Sequence, residues 1–229
     1  MGNWSRQGFF AGIALAAGLS AMAPMAIATG QAPATGAQAG MSQGTALAFP
    51  GAQGWAAHTP GGRGGKILRV TTLAATGRGS FADALATKGP RIVVFEVGGV
   101  IDLGMKELRI TEPFLTIAGQ TAPQPGITFI KGGLTIATHD VVVRHIRMRP
   151  GDGGMPKFSG DIDAITTVRG ARDVIVDHCS LTWATDENLS ASSTRFFGED
   201  EKAWMDAASR RITYSNNIVA EGLSNATHK

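Results

Sequence analysis

From Arg91 onward the sequence is a succession of short runs rich in Val, Ile and Thr, with no long amphipathic helical stretch between them. RIVVFEV, LRI, LTIAGQ, ITFI, LTIATH, VVVRHIRM, AITTV, VIVDHCSLTW and RRITYSNNIV follow one another. LTIAGQ at Leu115 and LTIATH at Leu134 are near-copies, and VVVRHIRM at Val141 resembles VIVDHCSL at Val174. β-Branched residues suit pleated strands. Strands that recur every ~20 to 35 residues without crossover helices indicate a solenoid, in which each coil stacks on the one before. A sandwich or an up-and-down barrel is the rival reading. Both are built from hairpins, which call for two-residue turns such as Asn-Gly, and the sequence has none between adjacent runs. Gly is frequent, at 31 residues, while charged residues make up only 17%, a composition of tight turns rather than long solvated helices. The pattern points to an all-β chain, a parallel β-helix.

Three regions precede or make up this solenoid. Residues 1–28 read as a signal peptide, with Arg6 before an apolar run that closes on Ala26-Ile27-Ala28, an A-x-A cleavage pattern. A membrane anchor is the rival, weakened by Pro24 and the many Ala and Gly residues. Residues 29–46 are small and polar, the composition of a disordered spacer. Residues 47–229 form the folded domain. Its first part, FPGAQGWAAHTPGGRGGK, is turn-rich and leads to a short strand, ILRVTTL. Ser80 with Asp83 at the N3 position forms a capping-box-like pair, which predicts a helix over FADALATK ending at Gly89-Pro90 and serving as the cap of the first coil. A further turn is expected near residues 199–211. The single cysteine, Cys179, excludes an internal disulfide and lies in an apolar run, which reads as a buried structural thiol.

The chemistry concentrates between Asp161 and Glu187. This segment holds Asp161, Asp163, Asp173, Asp177, Asp186 and Glu187, in a chain whose net charge is +3. Asp161 and Asp163 stand two apart in a strand-like run and project from one face. The interval from Asp163 to Asp186 matches the recurrence of the strand runs, so one winding of the chain returns Asp186 beside the pair. Converging carboxylates repel one another unless a cation lies between them. An oxygen-only set without His or Cys ligands suits calcium better than zinc. The plainer reading is that one or two of them are turn or surface carboxylates, as Asp173 is expected to be. Arg144, Arg147 and Arg149 alternate just before this segment. They read either as a site for an anionic polysaccharide or as solvated strand residues that salt-bridge the acidic coil.

Several of these runs, in this order, resemble the pectate lyases of polysaccharide lyase family 1. The resemblance spans residues 49–229 and rests on FPGAQGWAAHTPGGRGGK, GRGSFADAL, PRIVVFEVGGVIDL, LTIAGQTAPQPGI, DIDAI, VIVDHCSLTWATDENLS and NNIVAEGL. It implies a right-handed parallel β-helix with a short N-terminal capping helix, secreted and monomeric, without nucleic-acid or membrane partners once the leader is removed. It also implies cleavage of polygalacturonate or pectin by β-elimination, with Ca2+ as cofactor. By position the implied calcium ligands are Asp161, Asp163 and Asp186. The resemblance places a further acid where this chain has Ser190. Glu187 is a substitute only if its side chain joins the same face, which an extended stretch would not allow. Asp177 and His178 match a family signature and are implied to support the groove wall. Lys229 falls near a substrate-binding lysine. The implied base is an arginine on a later coil, expected beyond Lys229, with the C-terminal coils missing and this chain weak or inactive by itself. Two other functions stand beside this one: a non-catalytic β-helix that binds polyuronate or cell-wall glycan, and a metal-independent pectin lyase.

Overall fold

The structure is a computed structural model, and it describes residues 46–157, 160–193, 199–226 and 228. The leader and spacer expected over residues 1–46 lie outside the described residues save for Ala46, as does Lys229. Within 46–229 the chain winds as a helix of strands. It enters through β1 (Lys66–Val70) and a short helix, α1 (Phe81–Ala86). Four coils follow: β2 (Arg91–Phe95), β3 (Gly99–Asp102) and β4 (Leu108–Ile110); β5 (Leu115–Ala118), β6 (Ile127–Ile130) and β7 (Leu134–Ile136); β8 (His139–Arg144), β9 (Arg147–Arg149) and β10 (Ile165–Thr167); and β11 (Arg172–Asp177), β12 (Ser180–Leu181) and β13 (Leu189–Ala191). A second short helix, α2 (Glu201–Asp206), precedes β14 (Arg210–Ser215) and β15 (Ile218–Val219).

Every strand pairs in parallel with the equivalent strand of the next coil, so three sheets run the length of the stack. They are β1-β2-β5-β8-β11-β14, β3-β6-β9-β12-β15 and β4-β7-β10-β13, called here the first, second and third sheets. The sandwich and the barrel therefore fall away, because both require antiparallel neighbours. Ile92, Thr116, Val142, Ile175 and Thr213 occupy successive rungs of the first sheet, and the sequence interval between them lengthens at every step. The ladder is unaffected by this growth, because most of the added residues fall between strands and not within them, after β9 and after β13.

The core is a set of aliphatic columns, one residue per coil. Val93, Ile117, Val143 and Val176 stack in one, and Ile101, Phe129, Met148 and Leu181 in another, all fully or almost fully buried. Neighbouring rungs lie about 4.8 Å apart, a spacing that brings like-shaped branched side chains into contact.

Helix α1 caps the first coil. Ser80 is its N-cap and accepts a bond from the Asp83 amide at 3.2 Å, while Asp83 reaches back to the Gly79 amide at 3.0 Å. Phe81 packs on Phe95 and Phe129, with ring centroids 5.7 and 4.8 Å apart. Arg91 is fully buried beneath it, and its guanidinium donates to the carbonyls of Leu85, Gly89, Glu112 and Pro113. The helix ends at Ala86, short of the expected Lys88. The turn expected near residues 199–211 contains a helical segment, α2, N-capped by Asp200.

Between the first and second sheets the last three connections, β8–β9, β11–β12 and β14–β15, bend sharply through one left-handed residue each. These are His145, His178 and Asn216, with φ of 54°, 54° and 53°. A second left-handed column, Asp140, Asp173 and Arg211, opens the strands of the first sheet. Asp173 lies within β11 and not in the expected turn, and it is held by Arg211 of the next coil at 2.7 and 2.6 Å. Cys179 is buried, with its thiol pushed up to about 12 chiefly by burial.

Candidate metal centre

The acidic residues meet where the second sheet turns into the third, on two consecutive coils. The loop before β10 carries Asp161 and Asp163, and the loop before β13 carries Asp186 and Glu187. Main-chain bonds hold the loops in register. The Ile162 amide donates to the Thr185 hydroxyl at 2.7 Å, the Thr185 amide donates to the Ile162 carbonyl at 3.1 Å, and the Ala164 amide donates to the Glu187 carbonyl at 3.0 Å. The Glu187 amide in turn donates to Asp163 Oδ1 at 3.0 Å. The bend at Asp186-Glu187 breaks the strand alternation, and Glu187 therefore points to the same side as its neighbours. The expectation that it would face away assumed an extended stretch, which this is not.

Carboxylate oxygens of Asp163, Asp186 and Glu187 lie within 4.8 Å of one another, as do ligand atoms of Asp161, Asp186 and His228. Asp186 belongs to both groups. Crowding shows in the titration. The hydrogen bond with Asp163, partial burial and the charges of Asp163 and Asp186 push the Glu187 carboxyl up to about 7. Burial and the neighbouring Asp186 raise Asp161. Three aspartates and a glutamate gathered on one groove form an all-oxygen donor set, which fits a hard divalent cation. His228, with Nδ1 3.6 Å from Asp186, is the nitrogen ligand near the set among the described residues. Ser190 faces the previous coil instead, its hydroxyl 2.7 Å from that of Thr166.

The carboxylates open onto a cavity of about 380 Å3 that runs down the third sheet past Thr166 and Thr135 to Arg109 and Glu107. Arg109 and Glu107 are ion-paired at 3.0 Å. Neither was singled out by the sequence, because both stand two coils away from the acidic segment. The register that puts Arg109, Thr135, Thr166 and Ser190 on successive rungs is what brings Arg109 into the same groove.

The arginines at 144, 147 and 149 lie elsewhere, on the first and second sheets, and do not reach the acidic loops. Arg144 donates to Asp177 at 2.9 Å and lies over the Phe49 ring, 3.8 Å from its centroid. Arg147 binds the Thr128 hydroxyl and the Pro125 carbonyl, both at 2.7 Å. Arg149 holds Ser180 through the carbonyl at 2.6 Å and the hydroxyl at 2.7 Å. All three act as braces between coils. Asp177 and His178 stand at the corner between the first and second sheets, away from the acidic groove. Asp177 is 1% exposed and joins three coils. It accepts from Arg144 on the coil before, from His178 beside it at 2.7 Å, and from Ser215 at 2.8 Å and Asn216 at 3.0 Å on the coil after. Burial pushes its carboxyl up, but these four bonds outweigh it and hold the group well below the usual carboxylate range.

Over 178 residues the chain is 41% identical to a protein named probable pectate lyase C from Emericella nidulans and 41% identical to its namesake from Aspergillus terreus. Over this segment the chain is similar to proteins named pectate lyase. The aligned segment covers 77% of this chain and 37% of each of those relatives, so the chain spans little more than a third of their length. A plant relative named pectate lyase 5, from Ambrosia artemisiifolia, is 29% identical over 188 residues, 74% of this chain and 42% of its own. No family model matches the chain. Among solved structures, the cedar pollen allergen jun a 1 superposes with a TM-score of 0.54 at 20% identity, covering 74% of this chain and 58% of that one. The fold shared with it is the right-handed parallel β-helix. No helix among the described residues is long and apolar enough to cross a membrane.

Proposed function

We propose that this chain carries the calcium-binding part of a secreted pectate lyase that cleaves polygalacturonate by β-elimination. The observation that carries the reading is the convergence of Asp161, Asp163, Asp186 and Glu187 from two coils onto one groove. These four residues would hold Ca2+. Calcium bound there would neutralise a substrate uronate carboxylate and acidify the hydrogen on the adjacent carbon. The chain's own part is to fix the position of that carboxylate along the third sheet. Asp163 is held by the Glu187 amide, and the Ile162–Thr185 bonds prevent the two loops from sliding past each other. Arg109, two coils down the groove and already paired with a carboxylate, is placed to hold a second uronate. Thr135 and Thr166 line the floor between them. The groove follows the stack axis, which suits a linear anionic polysaccharide. Export fits the leader-like composition of residues 1–28.

Calorimetric titration with Ca2+ tests the metal reading. One site is expected, and Asp161→Asn with Asp163→Asn should abolish it. Unchanged calcium binding in that variant overturns the assignment. Incubation with polygalacturonate, followed by the absorbance of unsaturated product with and without a chelator, tests the reaction. Unsaturated product that forms equally in the presence of chelator would show a metal-independent lyase. Retention of polygalacturonate by a protein of the relatives' length without any product would show a glycan-binding module.

A further inference from the structure

The corner between the first and second sheets holds a second cluster of potential ligands, separate from the acidic groove. Gly119, His145, His178 and Asn216 occupy the same position on successive coils. The two imidazoles stack with centroids 5.0 Å apart and planes 25° from parallel. They face a cavity of about 390 Å3 that is also lined by Gln120, Gln124, the Pro125–Gly126 turn and Arg147, whose guanidinium is bound to Thr128 and Pro125. Gly119 accounts for the space beside His145. A side chain there would meet the Arg144 and His145 carbonyl oxygens at 2.5 Å, so the column carries no side chain on that coil.

The tautomer of His178 is set by the structure. Asp177, fixed by Arg144, Ser215 and Asn216, is ionised and accepts a 2.7 Å bond from the His178 Nδ1–H. Nε2 therefore presents its lone pair outward, and the His178 side chain is 48% exposed. A carboxylate that orients an imidazole through the nitrogen it does not use for binding is the usual outer support of a metal-ligating histidine. Ring nitrogens of His145 and His178 and an oxygen of Asp177 lie within 4.8 Å of one another. Two ligand nitrogens about 2.0–2.1 Å from a shared ion stand at most ~4.2 Å apart with their lone pairs converging, so the stacked rings must draw together and tilt out of parallel to share one.

We propose that His145 and His178 form a second metal site, which takes a borderline divalent cation such as Zn2+ or Cu2+ and not calcium. Imidazole nitrogen prefers such ions, whereas the acidic groove offers oxygens to a hard one. Asp177 is the positioning residue, since its four bonds leave it to orient His178 rather than to bind the ion. Gln120 and Gln124 line the same cavity.

The test is a zinc titration of the whole chain with calcium present in excess, compared with His145→Asn and His178→Asn. Asparagine tolerates the left-handed conformation both positions need, so the corner keeps its turn. One zinc per chain is expected, with affinity about tenfold or more weaker in each variant. Nitrogen couplings from two imidazoles are expected in the Cu2+ electron paramagnetic resonance spectrum of the wild type and are lost in the double variant. Binding that survives the double variant overturns the proposal. So does zinc binding that disappears with Asp161→Asn and Asp163→Asn instead, since His228 beside Asp186 is the competing nitrogen.

Discussion

Asp177→Asn is the most informative single change outside the acidic groove. The side chain keeps its shape and loses its charge. In the wild type one carboxylate oxygen accepts from Arg144 Nε at 2.9 Å and His178 Nδ1 at 2.7 Å, and the other accepts from Ser215 and Asn216. The asparagine amide has one acceptor oxygen, so its NH2 must face one of these donor pairs. Turned toward Arg144 it leaves a guanidinium against a donor; turned toward Asn216 it strands that amide. Removing one partner of a buried ion pair costs about 3–5 kcal/mol. The Ser215 hydroxyl can rotate to accept from the new amide, which places the expected loss near ~3 kcal/mol. Urea unfolding followed by circular dichroism measures it. The pH dependence supplies the sign. The folded carboxyl sits below its unfolded value of ~3.9, so its stabilisation is complete above that pH and is lost as pH falls toward the folded value. The gap between wild type and variant should be flat from neutral pH to about pH 5 and narrow below about pH 4. A gap under about 1 kcal/mol at neutral pH, or one as wide at pH 3 as at pH 7, would refute the claim that this carboxylate rivets three coils.

Other expectations concern the groove and the cap. Glu187→Gln removes a carboxyl that its neighbours push up to about 7. Metal-free protein should then melt higher and calcium-loaded protein lower than wild type, and a single direction of change under both conditions would contradict the ligand role. In the wild type, a glutamate with its pKa raised holds a proton below about pH 7 that calcium must displace. Calorimetric calcium affinity should therefore rise with pH through neutrality, more steeply than in Glu187→Gln. Gly133→Ala would put a methyl 1.9 Å from the Asp163 carbonyl oxygen, and it should weaken calcium binding by about tenfold without altering any carboxylate. Arg91→Met strands the carbonyls of Leu85, Gly89, Glu112 and Pro113 and should lower unfolding stability by at least about 3 kcal/mol; a loss under about 1 kcal/mol would mean those carbonyls find other partners.

What the sequence made legible was whatever local chemistry decides. The β-branched runs became strands, the Ser80–Asp83 pair capped α1, and the apolar setting of Cys179 meant burial. The convergence of Asp161, Asp163 and Asp186 was legible too, because one coil returns the chain to the same corner. Properties that depend on which corner a residue occupies were not legible. Asp177 stands shortly before Asp186 in the sequence, yet it lies on the first sheet, and the intervening strand β12 carries the chain to another edge of the coil. Glu187 joined the acidic cluster because a bend replaced the assumed strand. Arg109 entered the groove through a register two coils deep, which no spacing rule within a single coil encodes.

The uneven coil lengths bear on how such a chain can diversify. Each coil is longer than the one before it, yet the rungs of the first sheet stay in register, because the large additions fall at two of the three corners. The corner between the first and second sheets is different. Where the last three turns of the chain pass it, it is held to one left-handed residue each, at His145, His178 and Asn216, whereas the earlier β5–β6 connection spreads over residues 119–126. Loop grafting should therefore alter the acidic groove freely while the histidine corner keeps its spacing. One edge of the molecule can be rebuilt for a new polymer, while the other stays a ruler with divisions one rung apart.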